Sequence, residues 1–159
     1  MMNVTVIAVG KLKEGYLRDG CKEYIKRLGA YAKVNVIEIN EEKCSDNPSD
    51  SEIKNVIKKE GERIIAKIPK GSAVIPLCIE GREYDSREFS GLIENISLSN
   101  SHICFVIGGS FGLDDSVKQA GKIKLSFGKM TLPHQLARMV LLEQIYRGFS
   151  IMNNSKYHK

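Results

Sequence analysis

The chain has 159 residues, with 24 Lys and Arg against 19 Asp and Glu and a formal net charge of +5. A chain of this length buries roughly two thirds of the surface that its unfolded form exposes, so one domain over residues 1–159 is expected. No run approaches the ~18 apolar residues of a membrane span, and the N-terminus enters a strand pattern without a basic segment or cleavage site. A soluble cytoplasmic protein is therefore expected.

In chain order, NVTVIAV (Asn3 to Val9) predicts a first strand, and Leu17, Cys21, Tyr24, Ile25 and Leu28 recur at the spacing of a helix. KVNVIEI, Lys33 to Ile39, alternates with period two and predicts a second strand, followed by the polar loop NEEKCSDNPSD. Ser49 or Ser51 can cap the next helix, whose apolar stripe from Ile53 to Ile68 ends at Pro69 and Gly71. AVIPLCI (Ala73 to Ile79) reads as a buried strand, although Pro76 cannot donate to a ladder and belongs at an edge or an irregularity. A helix over 86–98, the strand Ile103 to Ile107, a short helix ending at Gly121, a strand over 122–127 and a last helix from Pro133 to Arg147 complete the series. Strand and helix alternate five times, which predicts an α/β fold with a parallel sheet whose ligands bind beyond the carboxyl ends of the strands.

Cys21, Cys44, Cys78 and Cys104 are scattered and read as reduced packing residues with neither metal nor disulfide. A lone catalytic thiol stands as the alternative, with His102, His134 and His158 the available partners. The charge is uneven: residues 118–159 hold eight Lys and Arg against Glu143 alone, a net +7 that leaves −2 for the rest. Such a stretch is the footprint of a polyanion binder, or simply a solvated face.

Two loops leave carboxyl ends of predicted strands. GGSFG, with Gly108, Gly109 and Gly112, lacks the dinucleotide spacing, and reads either as a tight turn or as backbone left bare for a ligand. GKMT, Gly128 to Thr131, lacks the first glycine and the hydroxyl of a Walker loop, which speaks against a nucleotide hydrolase. Thr131 is expected to cap the last helix, with Pro133 in its first turn. That helix is apolar around most of its circumference, so a second surface is expected to cover part of it, most simply a twofold copy. Glu143 and Arg147 stand four apart and can pair. The tail SKYHK joins an aromatic ring, an imidazole and ammonium groups, the set that stacks on a base and holds phosphates, or else a frayed end.

IGGSFGL, LSFGKMTLPHQLAR, LLEQIYRGFSI and the terminal YHK, with VTVIAVGKLKEGY at the start, resemble the ribosomal large-subunit methyltransferase H family over essentially the whole chain. The resemblance implies a SPOUT-class enzyme: a parallel-sheet α/β domain with a C-terminal trefoil knot, homodimeric, with no metal. It also implies methylation of N3 of a pseudouridine in 23S ribosomal RNA of the assembled ribosome, with S-adenosyl-L-methionine as cofactor. Carried over by position, the cofactor pocket comprises Leu77, Gly108, Phe127, Gly128, Lys129, Met130, Thr131 and Leu132, and Arg147, Tyr157 and His158 stand on the RNA side. Lys159 occupies a place where some relatives have Arg. Tyr157 and His158 are expected to become ordered when RNA binds, with His158 accepting the N3 proton, and Arg147 to contact RNA in preference to Glu143. The rival reading is a non-catalytic ribosome-binding factor that uses the basic region without a cofactor.

Overall fold

The computed structural model describes residues 1–159 and contains β1 (Met2–Val9), α1 (Gly15–Leu28), β2 (Ala32–Ile39), α2 (Asp50–Ile65), β3 (Ala73–Glu83), α3 (Ser86–Ser97), β4 (His102–Ile107), α4 (Asp115–Ala120), β5 (Leu125–Ser126) and α5 (His134–Met152). The five strands form one sheet in the order β2-β1-β4-β3-β5, and every pairing is parallel. Side chains of successive strand residues point to opposite faces, and the core divides accordingly. On one face Val4, Val6, Ala8, Ile103, Phe105 and Ile107 pack against α1, α3 and α5; on the other Ile7, Val9, Cys104 and Val106 meet Ile64 of α2 and Val117 of α4.

The local signals set most boundaries. Ser49 closes a capping box with Glu52 at the start of α2, and Asp85 does the same with Glu88 at the start of α3. α5 departs from expectation at both ends. Thr131 is exposed and caps nothing; Pro133 occupies the cap position, no side chain caps the helix, and the first helical residue is His134. At the other end the helix runs through Gly148 to Met152. Glycine there is not a stop signal but a close approach: an added Cβ would lie 3.1 Å from Ile93 Cδ1, and Ser90 Oγ donates 2.7 Å to the Gly148 carbonyl. The glycine is what lets α3 lie against α5.

The predicted strand over 122–127 contracts to Leu125–Ser126, and β3 lengthens to Glu83. β3 pairs with β4 from Ala73 to Pro76, then turns to β5 at Leu77, bulges, and pairs again at Arg82 and Glu83. Pro76 stands where pairing passes from one neighbour to the other. Gly121 faces it, with no room for a Cβ between Pro76 and the Val74 carbonyl. The missing N–H of Pro76 therefore meets a turn and not a ladder, which answers the conflict seen in the sequence.

The apolar circumference of α5 is largely covered within the chain. One side packs on the sheet and on α3 through Leu141, Leu142, Ile145 and Phe149. The side toward α1 is sealed by aromatic rings: Tyr146 lies 6.3 Å from Tyr24, 6.1 Å from Tyr31 and 4.7 Å from Tyr157 between centroids, and Tyr31 stacks on Phe149. Near the N-terminal end of α5, Met139 rests on Gly20 of α1. No helix is long and apolar enough to cross a membrane.

Candidate cofactor cavity and RNA-side cluster

At the carboxyl edge of the sheet, the second half of β3, the Gly turn after β4 and the loop after β5 line an open cavity of about 620 Å³. Its lining includes Leu77, Gly108, Phe127, Gly128, Met130, Thr131 and Leu132. Seven of the eight positions carried over for the cofactor thus come together, and Lys129 does not: its side chain is exposed and lines no part of the cavity. Gly112 and Gly128 carry φ of +89° and +115°, conformations that side chains resist. The GKMT loop consequently offers backbone to the cavity and turns its lysine outward.

The cavity has the size of small-molecule sites, which run to roughly 300–1,000 Å³ and are lined mainly by apolar groups with a few polar ones. Ile79, Phe111, Phe127, Met130 and Leu132 leave much of their apolar surface uncovered around it, Met130 being 83% exposed. His134, at the start of α5, lines it too; its Nε2 is buried without a hydrogen-bond partner, with Glu41 Oε1 3.5 Å away in poor alignment. Bare backbone, unpartnered apolar side chains and one orphaned nitrogen fit a ligand that is part heterocycle and part amino acid. Sequence reasoning named the Gly turn and the GKMT loop but offered His134 only as a partner for a thiol; its place at the start of the helix that follows the GKMT loop was the available clue.

Two other thiol and imidazole candidates resolve as structural. Burial pushes the Cys104 thiol up to about 12, so it stays protonated, and His102 Nε2 lies 2.7 Å from Thr5 Oγ1 between β4 and β1. Cys78 lines the cavity, its thiol also pushed up by burial first and then by Glu80, so neither cysteine is a thiolate nucleophile. No group of three or more His, Cys, Asp or Glu is placed to hold a metal ion.

The RNA-side residues form a second centre on α5. Arg147 donates to Glu143 Oε1 through Nε at 3.0 Å and Nη2 at 2.7 Å, and Tyr157 Oη donates to the same oxygen at 3.1 Å. Arg147 Nη1 lies 3.0 Å from His158 Nδ1, and the guanidinium sits 4.7 Å over the Tyr157 ring. The structure thus brings Arg147, Tyr157 and His158 together. The tail is folded back by contacts within the chain, and Arg147 pairs with Glu143. The pairing holds because Glu143 and Arg147 are both only partly exposed, so the ion pair is less screened than a surface one.

Between the two centres stands Arg138, only 3% exposed, which donates to Glu38 Oε2 at 2.8 Å and to the Gly10 carbonyl at 3.0 Å. It fixes the first part of α5 to the ends of β1 and β2. The cavity reaches α5 at Ala137 and the tail cluster centres on Arg147, about 15 Å further along the axis at 1.5 Å per residue. Within one chain the two centres share no residue.

A parallel sheet with helices on both faces and a ligand cavity at its carboxyl edge is a fold of many enzymes, and the match to known families narrows it. Residues 2–158 match a family model described as predicted SPOUT methyltransferase. A crystal structure of a probable rRNA-methyltransferase from Porphyromonas gingivalis superimposes with a TM-score of 0.55 at 14% identity, over 95% of this chain and 70% of that one, a likeness of fold. Proteins named ribosomal RNA large subunit methyltransferase H from Carboxydothermus hydrogenoformans and from Bacillus pumilus are each 50% identical over 99% of this chain and the whole of the relative. The chain belongs to this ribosomal RNA large subunit methyltransferase H family of SPOUT methyltransferases.

Proposed function

We propose that residues 1–159 form a single SPOUT domain that transfers a methyl group from S-adenosyl-L-methionine to N3 of a pseudouridine in large-subunit ribosomal RNA, working as a homodimer in the cytoplasm. The observation that carries the reading is the cavity at the sheet's carboxyl edge, walled by backbone and bare apolar side chains at the positions that the resemblance assigns to the cofactor. The names of the relatives give the RNA class of the substrate.

When bound, the cofactor supplies an electrophilic methyl group on a cationic sulfur. The chain's own part is alignment, which can be worth on the order of 7–11 kcal/mol when two reactants are held in near-attack geometry. Gly108, Gly128 and the main chain to Leu132 would hold the cofactor, and Phe127, Met130 and Leu132 would exclude water around it. Arg147, Tyr157 and the basic tail would take phosphate and base.

The homodimer is supported by the separation of the two centres. Methyl transfer needs contact, yet cavity and tail cluster of one chain lie about 15 Å apart along α5. A second copy that lays its tail over the first cavity closes that gap. A C-terminal knot is supported by the path of the chain: after β4 it crosses beyond β3 to form β5 at the sheet edge, and then returns so that α5 packs between α1 and α3.

Mass mapping of ribosomal RNA after incubating the protein, the cofactor and unmodified ribosomes tests the reading. One methyl group added at a pseudouridine is expected. An unmodified RNA, together with no heat of cofactor binding in calorimetry, would favour the cofactor-free ribosome binder.

A further inference from the structure

We propose that Glu143 and Arg147 are positioning residues that fix His158 as the tautomer with its proton on Nε2, so that His158 meets RNA as a hydrogen-bond donor and not as a proton acceptor. The part concerning RNA rests on the function proposed above; the tautomer itself does not.

The argument begins with donor counting. A guanidinium has five N–H donors, no acceptor, and stays protonated in proteins. Since Arg147 Nη1 lies 3.0 Å from His158 Nδ1, the imidazole nitrogen must accept through its lone pair. A neutral ring carries one N–H, which is then on Nε2. A doubly protonated ring would have no lone pair to offer and would place a second cation against the guanidinium.

Glu143 determines which guanidinium nitrogen reaches the ring. Its Oε1 takes Nε and Nη2, leaving Nη1 for His158, and the Tyr157 ring beneath the guanidinium keeps the fork in plane. Gln144 Nε2 donates 2.7 Å to Glu143 Oε2, while its own Oε1 accepts from Ser86 Oγ at 2.8 Å, which orients the amide. The carboxylate therefore receives four donors: Nε, Nη2, the Tyr157 hydroxyl and the Gln144 amide.

No base is left in the cluster. The carboxylate already accepts four donors, the His158 Nδ1 lone pair is engaged, and Tyr157 keeps its proton, since burial first, then the Tyr24 hydroxyl and the Glu143 carboxylate, push the phenol up. What the cluster presents outward is a donor, a cation and an aromatic face. For a pseudouridine, N3 lies between two carbonyls. When the N3–H bond breaks and its proton passes to water, the charge left behind spreads onto those oxygens. A fixed Nε2–H donor aimed at one of them stabilises the anion that attacks the methyl group.

Two measurements decide the proposal. Glutamine carries its amide nitrogen near the place of imidazole Nε2 and has no basic site. On unmodified ribosomes, His158→Gln should keep single-turnover methylation within about tenfold of the wild type, and His158→Ala should lose about 10²-fold or more, the cost of removing one such donor. Equal losses in both variants would overturn the donor role. Nitrogen-15 spectra of the histidine rings in the full-length protein, without ribosomes, should show His158 protonated on Nε2 alone, and Glu143→Gln should convert it to a mixture of tautomers while cofactor affinity stays unchanged. A wild-type ring protonated on Nδ1, or a Glu143→Gln ring identical to the wild type, would overturn the relay. Because the spectra need no substrate, a protein that methylates no ribosome would refute the proposed function and leave the tautomer decided on its own.

Discussion

Around the cavity, large apolar side chains stand exposed beside glycine backbone, and the one buried imidazole nitrogen there has no hydrogen-bond partner. Around Glu143, every carboxylate oxygen, the guanidinium and the tail imidazole are taken up by one another. The contrast separates two ways of holding a partner. An open cavity of bare surface gains its contacts from the ligand, whereas a saturated cluster is already organised and gives up contacts only to better ones. On the proposed function, cofactor binding should therefore depend on backbone shape and RNA engagement on charge and tail order.

Removing residues 157–159 breaks the comparison most severely. Single-turnover methylation should fall at least about a hundredfold, the scale of loss when a reacting group is misplaced by an ångström, while calorimetry still finds one cofactor site with unchanged affinity. The reciprocal lesion is Gly128→Val. A Cβ there meets nothing nearer than 3.8 Å, so space is not the obstacle, but φ of +115° is. A strain of about 1–3 kcal/mol should weaken the cofactor roughly tenfold or more and leave cofactor-free RNA binding as it was. Arg147→Ala should act on the RNA side alone, lowering the slope of log affinity against log salt by about one, with cofactor affinity constant.

The smallest effect concerns Glu60 of α2, buried behind the Gly turn, where its Oε1 lies 3.2 Å from the place of a Gly109 Cβ. Burial, opposed by a hydrogen bond from the Glu42 amide, pushes its carboxyl above the ordinary range. The folded state thus holds the proton more tightly than the unfolded one, and the stability so gained is full below the ordinary carboxyl range and lost as pH rises through the folded value. Glu60→Gln should raise Tm by about 2–4 °C at neutral pH, as a gain near 1 kcal/mol does for a chain of this size, with the difference fading under acid.

The order of strands and helices was legible because each carries its own period: NVTVIAV and ICFVI read as strands without reference to anything distant, and Ser49 announced a helix start that the structure keeps. What could not be read locally was set by contacts far apart in sequence. The last helix was expected to end at Arg147, yet it runs on through Gly148, against which Ile93 and Ser90 pack. Thr131 looked like a cap, but the chain there is held in the cavity wall. Residues of the cavity were gathered by resemblance and by strand ends together. The tail's attachment to Glu143 had only the four-residue spacing of Glu143 and Arg147 as a hint, since no local pattern says where the last three residues turn.

The handover along β3 has a consequence for how the protein breathes. Its first half, Ala73 to Pro76, is laced to β4 in the middle of the sheet, and its second half is held across a bulge by the two residues of β5 and by the Lys124 carbonyl before them. One continuous strand therefore belongs to two units of different local stability, and amide hydrogens of residues 73–76 should exchange with solvent far more slowly than those of 77–83. The second half forms one wall of the cavity, so cofactor should slow its exchange and leave the first half untouched.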